Sequence, residues 1–128
     1  MAKYLSQEWL DEGRKLSDEF PERPGASARM QYVVTGTPDG DVKYYWVLEN
    51  GKILESTVGE DPSADFTITT TYEDSRKIQE GELDPNAAFM QGRMKVTGNM
   101  AKLMSLLPLT NSPEYRALQE QIREITEY

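Results

Sequence analysis

Apolar and polar residues alternate in two consecutive segments of the chain, and this period of two predicts β-strands. The apolar positions share one face: Ala28, Met30, Tyr32 and Val34 in the first segment, and Val42, Tyr44, Trp46 and Leu48 in the second. Asn50-Gly51 then predicts a two-residue hairpin turn, because a type I′ turn needs positive φ at both positions. The turn leads into a third predicted strand over Lys52–Val58. Together these segments predict an antiparallel meander.

Two more strands are predicted further along. Phe66, Ile68 and Thr70 alternate with polar residues, and Met94 and Val96 do the same after Gly92. Helical periodicity or capping signals mark five other segments: residues 4–20, from Thr71 to near Gly81, from Pro85 to Gly92, residues 100–107, and from Pro113 onward. The resulting order predicts an α+β fold with a five-stranded, mainly antiparallel sheet and helices packed on one face.

The helix boundaries rest on particular residues. Ser6 is placed to cap the first helix and Pro21 to stop it, while Pro108 is expected to end the fourth. Asp84 and Ser112 each precede a proline, which is favoured at the first helical position. The last helix carries one apolar stripe: Tyr115, Leu118, Ile122 and Ile125.

Composition narrows the classes of function. The chain has 128 residues, which we take as a single domain (residues 1–128), and a net charge of −8, which disfavours nucleic acid as a partner. It has no cysteine and no histidine, so disulfides and the commonest zinc ligands are excluded, and we expect neither a metal nor a cofactor. With no signal-peptide pattern and no apolar run long enough to span a bilayer, we expect a cytoplasmic protein.

Catalytic motifs are missing as well. The chain has no GxGxxG, Walker or GxSxG pattern. Of the paired carboxylates, Glu73 and Asp74 lie in the first turn of a predicted helix, where the helix dipole favours negative charge. Glu60 and Asp61 lie in a loop with no sign of a perturbed pKa. We therefore expect a protein without enzymatic activity; a hydrolase or isomerase would need a buried Tyr or Asp directed into a cavity.

Residues 84–107 have an unusual composition. They hold four of the six methionines and no acidic residue after Asp84, although the chain has 22 Asp and Glu against 14 Lys and Arg. Methionine fills ordinary cores, and it also suits surfaces that adapt to a variable apolar ligand. Arg93, Lys95 and Lys102 are either solvated side chains or a basic entrance to an apolar pocket.

The same region resembles the sterol carrier protein type 2 domain family. The matching residues follow in the family's order: Ala64-Asp65-Phe66-Thr67-Ile68, then Glu73-Asp74, then Gly81-Glu82-Leu83-Asp84-Pro85, then residues 89–100. The resemblance implies a sheet covered by helices that enclose a hydrophobic tunnel. It also implies lipid binding or transfer, with a sterol, a fatty acid or an acyl-CoA ester as ligand.

On this resemblance we expect an apolar cavity formed by one face of the sheet and the helices, with the last helix as a lid hinged at residues 108–113. The ligand-binding residues predicted are Trp46, Phe66, Ile68, Phe89, Met90, Met94, Met100, Leu103, Met104, Leu107, Leu118 and Ile122. We also expect transient contact with membranes, and a monomer or weak homodimer.

Two features differ from the family. The chain ends Glu127-Tyr128 rather than in the peroxisomal Ser-Lys-Leu signal, and its acidic character argues against docking to anionic membranes and binding of acyl-CoA phosphates. The alternative function is a structural or accessory module for dimerisation or substrate presentation, because Val33, Tyr45 and Val47 give the other sheet face some apolar character.

Overall fold

The computed structural model describes residues 2–19, 22, 24–110 and 112–128, with Leu107 and Thr110 described by their backbone alone. In chain order its elements are β1 (Ala2–Lys3), α1 (Gln7–Ser17), β2 (Ala28–Thr37), β3 (Gly40–Glu49), β4 (Lys52–Val58), β5 (Phe66–Thr71), α2 (Tyr72–Gln79), α3 (Pro85–Met90), β6 (Met94–Gly98), α4 (Met100–Ser105), α5 (Leu107–Thr110), α6 (Pro113–Glu124) and β7 (Thr126–Glu127). The predicted α+β class is confirmed.

Strands β2 to β6 form one sheet in the order β4-β3-β2-β5-β6. All neighbouring pairs are antiparallel except β2 and β5, which run parallel. The predicted hairpin turn is present, with φ of 50° at Asn50 and 83° at Gly51. The predicted five-stranded, mainly antiparallel sheet is therefore confirmed.

Several helices begin at a capping side chain, and Ser6 takes this role as predicted. The side-chain oxygens of Ser6, Thr71, Asp84 and Ser112 each accept a hydrogen bond from a backbone N–H in the first turn of α1, α2, α3 and α6. Such a bond satisfies one of the amides that a helix start leaves unpaired. The first helix is shorter than the predicted span 4–20, and Phe20 and Pro21 lie outside the described residues.

One face of the sheet, here called the inner face, is apolar. The strand register aligns the alternating residues across neighbouring strands, so that Met30 lies between Trp46 and Phe66, and Tyr32 lies between Tyr44 and Ile68. Side chains from α1, α6 and the α4–α5 region complete the core on this face: Trp9, Leu10, Leu106, Leu109, Leu118 and Ile122.

The two ends of the described chain pair with each other. β1 and β7 form a two-stranded parallel sheet, in which the Ala2 N–H donates to the Ile125 carbonyl over 2.7 Å. The Trp9 indole N–H donates to the Thr126 hydroxyl over 2.9 Å. These bonds fix the C-terminal end of α6 to α1. Two-residue strands carry no periodic pattern, so the sequence did not predict them.

Candidate functional site

A cavity of about 40 Å³ lies between the inner face and the last two helices. Its walls come from β2, β3, the β3–β4 turn, β4 and the helical region 106–118, with these lining residues: Met30, Tyr32, Trp46, Leu48, Gly51, Ile53, Leu106, Leu109, Tyr115 and Leu118. Every one of these side chains is uncharged at neutral pH. The described lining residues can therefore surround an apolar molecule but offer no ion pair to a charged one.

Stacked aromatic rings form one side of the cavity. The Tyr32 ring stacks on Tyr44 with centroids 4.9 Å apart, and it lies 5.5 Å from the Trp46 ring. Tyr44 in turn meets Trp9 edge to face at 6.1 Å. Such ring pairs add stability beyond the area that they bury, so this wall is continuous with the packed core.

Three lining residues carry an N or O atom in the side chain: Tyr32, Tyr115 and Trp46. Burial raises the pKa of Tyr115 to about 12, and it raises the pKa of Tyr32 further. Both phenols therefore stay protonated and uncharged at neutral pH. The shifts also indicate that the wall disfavours negative charge, because desolvation penalises the ionised form.

The indole N–H of Trp46 has no hydrogen-bond partner among the described residues. Trp46 is buried, and a buried donor without a partner costs about 1–3 kcal/mol. The Trp46 N–H is therefore an unpaired polar group in a cavity whose other lining groups are almost all apolar.

Five of the predicted ligand-binding residues are buried, and two of these, Trp46 and Leu118, line the cavity. Phe66, Ile68 and Ile122 belong to the same core without lining the cavity. Met94 and Leu103 are partly buried and pack against that core. Whether any of these seven contacts a ligand stays a prediction.

Four of the predicted residues are at the surface. The exposed fractions are 43% for Phe89, 84% for Met90, 41% for Met100 and 58% for Met104, so the prediction that they face inward is wrong. The short helix α3 buries Ala88 instead, which leaves the two residues after it in solvent. The side chain of Leu107 lies outside the description.

The apolar stripe predicted over residues 100–107 was misplaced because the structure divides this segment into two helices. A continuous helix would direct residues 100, 103, 104 and 107 to one side. α4 instead ends at Ser105, and α5 begins at Leu107 with Pro108 at its second position, where proline is tolerated. Leu106 and Leu109 consequently turn inward.

Eight lining residues were not among the predicted site residues: Met30, Tyr32, Leu48, Gly51, Ile53, Leu106, Leu109 and Tyr115. The alternation in β2 and β3 had already placed Met30, Tyr32 and Leu48 on the same face as Trp46. The alternation therefore identified the inner face. Which part of that face borders the cavity depends on how the helices pack against it.

The described part of the chain holds neither a cluster of metal ligands nor a membrane-spanning helix. Its His, Cys, Asp and Glu side chains form no group of three that could hold a metal ion. In the same residues, no helix combines the length and apolarity needed to cross a membrane.

Comparison with known proteins identifies relatives of this chain. The SCP-2 sterol transfer family matches residues 18–111. The Caenorhabditis elegans protein "Non-specific lipid-transfer protein-like 1" is 38% identical over 90 residues, covering 69% of this chain and 72% of that protein. "Sterol carrier protein 2" of Homo sapiens is 39% identical over 72 residues, covering 53% of this chain but only 13% of the human protein.

A crystal structure of sterol carrier protein 2 superposes with a TM-score of 0.72 at 19% identity, covering 94% of this chain and 98% of that one. The structural likeness establishes the fold, and the sequence matches establish the relationship. The chain belongs to the SCP-2 sterol transfer family.

Proposed function

We propose that the chain is a lipid carrier without enzymatic activity, which holds a sterol, a fatty acid or a fatty acyl ester between the inner face and helices α4 to α6. The observation that carries this proposal is the uncharged, mostly apolar cavity beneath Leu106, Leu109 and Leu118. Membership of a sterol transfer family and the likeness to a lipid-transfer protein support it. On this account the protein moves lipid through the cytoplasm as a single domain.

The cavity must enlarge to take such a ligand. Ligand pockets usually measure about 300–1,000 Å³, against about 40 Å³ here. The last helix was the predicted lid, but its C-terminal end is fixed by β7 and by Arg123, whose Nε donates to the Gln79 carbonyl over 2.8 Å. We therefore assign most of the opening movement to α4, α5 and the N-terminal end of α6.

A matched pair of substitutions tests the proposal. Leu109→Phe places a larger ring at the cavity wall, whereas Leu54→Phe makes the same change at a side chain that is 56% exposed on β4. We expect Leu109→Phe to weaken binding of a fluorescent fatty acid about tenfold or more, since overfilling a packed site is costly. Leu54→Phe should leave binding unchanged.

Thermal melting of both variants provides the folding control. A folded Leu109→Phe variant that binds as tightly as wild type would contradict the cavity as the binding site. Purified protein without bound lipid by native mass spectrometry, together with no titratable binding of a fatty acid, a long-chain alcohol or cholesterol, would contradict lipid carriage altogether.

We further propose that the exposed methionines of α4 contact the surface of an anionic membrane. Met100 and Met104 lie one turn apart on α4 and face solvent, while Leu106, just beyond this helix, reaches the cavity. Residues 85–113 contain Arg93, Lys95 and Lys102 but no acidic residue. An apolar helix face within a basic segment suits shallow insertion among anionic headgroups, although the chain as a whole is acidic.

Met104→Glu tests the membrane contact, with Leu54→Glu as control at nearly equal exposure, 58% against 56%. We expect Met104→Glu to reduce cosedimentation with vesicles of phosphatidylcholine and phosphatidylserine several-fold, because a carboxylate at the contact is repelled and costly to desolvate. Equal losses in both variants, or none, would contradict this assignment of the membrane-contacting face.

The alternative function is an accessory module. One observation favours it: the chain matches only 13% of the human sterol carrier protein 2, so a similar region there belongs to a much longer protein. Val33, Tyr45 and Val47 are half-buried on the outer sheet face, where the dimer of such a module would form. Sedimentation distinguishes the two, since a tight dimer that binds no lipid supports the module, and a monomer or weak dimer that binds lipid supports the carrier.

A further inference from the structure

The polar groups in the cavity wall indicate what kind of lipid it accepts; this inference rests on the proposed lipid-carrier function. Trp46 lines the cavity, is 8% exposed, and its indole N–H is unpaired among the described residues. The Tyr115 hydroxyl, by contrast, has a side-chain partner in Gln119. The Trp46 N–H is therefore a buried wall donor without an acceptor among the described residues.

We propose that the lipid held in this cavity is uncharged and carries an oxygen that accepts a hydrogen bond from the Trp46 indole N–H, as the hydroxyl of a sterol or a long-chain alcohol would.

The lack of charge in the wall supports an uncharged ligand. None of the described residues that line the cavity is a cation, and the charged side chains of β2 and β3 lie on the outer face or in turns. An ionised carboxylate or phosphate in the cavity would lose far more hydration than a single indole N–H replaces, and it would gain no cation among the described lining residues. A hydroxyl or ester oxygen loses less hydration and regains a hydrogen bond at Trp46.

The second tryptophan provides an internal comparison. Trp9 is buried in the same core, but its N–H donates to the Thr126 hydroxyl over 2.9 Å. The fold thus satisfies the indole that lies away from the cavity and leaves unpaired the one that lines it. Trp9→Phe and Trp46→Phe therefore remove the same N–H in two environments.

Calorimetric titration with three ligands of equal chain length, delivered from a cyclodextrin, tests the inference: dodecanol, dodecane and dodecanoate at mildly alkaline pH. We expect wild type to bind dodecanol most tightly. Trp46→Phe should weaken dodecanol binding about tenfold relative to dodecane, the factor that one lost hydrogen bond gives. Trp9→Phe should leave the ratio of dodecanol to dodecane affinity unchanged. Cholesterol, added to the series, distinguishes a sterol from a straight-chain ligand.

Nuclear magnetic resonance on the wild-type protein provides a measurement that needs no variant. With ¹⁵N-labelled tryptophan, we expect the Trp46 indole proton to move downfield on adding dodecanol but not dodecane, while the Trp9 signal stays in place.

The possible failures are distinguishable. If dodecanol and dodecane lose affinity equally in Trp46→Phe, or dodecanoate binds wild type as tightly as dodecanol, the inference is overturned while lipid carriage stands. If none of the ligands, cholesterol included, binds wild type, the carrier function itself is overturned.

Discussion

Asp61 and Gln31 fasten the loop after β4 to the outer face of the sheet. The Gln31 amide donates to the carbonyls of Tyr44 and Gly59 over 3.0 and 3.1 Å, and its oxygen accepts from the Asp61 N–H over 2.7 Å. The Asp61 carboxylate accepts from Arg29 Nε over 2.8 Å. These bonds join residues far apart in sequence, so no local pattern marks Asp61.

The Asp61 pairing makes stability depend on pH. The hydrogen bond from Arg29 lowers the pKa of Asp61 below its ordinary value. A lowered folded-state pKa stabilises the protein above the ordinary range of Asp, near 3.9, and this stabilisation is lost as pH falls through the folded-state value. We expect Asp61→Asn to be less stable at neutral pH and to lose less stability on acidification.

Urea denaturation at a series of pH values measures this effect. Asp39→Asn is the control, because the Lys3–Asp39 pair is 70% and 69% exposed and such pairs contribute little. If Asp61→Asn and wild type lose stability in parallel on acidification, the assignment is contradicted.

At the scale of elements, caps and turns were predictable because their signals are local. Ser6 caps α1 as predicted, and α2 and α6 begin beside Thr71 and Ser112, where the sequence placed the helix starts. The 84–107 segment was harder, because its helices are short and interrupted at Leu106. Its methionines are therefore mostly exposed, whereas the predicted continuous stripe placed them inside.

Gly98 shows how closely β6 approaches β5. Its φ is +112°, and an added Cβ would lie 2.8 Å from both the Asp65 carbonyl oxygen and the Phe66 Cα. We expect Gly98→Ala to lower the free energy of unfolding by about 1–3 kcal/mol, from backbone strain and this close approach. Equilibrium unfolding in urea provides the measurement.

Gly36→Ala is the matched control, because Gly36 also has positive φ, +70°, but nothing lies within 4 Å of its added Cβ. The difference between the two variants isolates the close approach to β5. Equal destabilisation would show that the contact contributes nothing.

At the scale of the whole molecule, the sheet followed from the sequence, but the open part of the cavity did not. Alternation in β2, β3 and β5 defined the inner face, including Trp46. Which side chains border a space depends on how α5 and α6 cross that face, a long-range property. The pairing of β1 with β7 also holds the C-terminal end of α6, so we expect its N-terminal end to move more readily.

In the proposed function, a lipid enters the cavity beneath α5 and α6. Methionine methyl groups report this directly: Met30 lines the cavity, Met94 packs against the core, and Met90 is 84% exposed. In a spectrum of ¹³C-methyl-labelled methionine titrated with dodecanol, we expect saturable shifts at Met30 and none at Met90. Shifts at the exposed methionines alone, with Met30 unchanged, would contradict the claim.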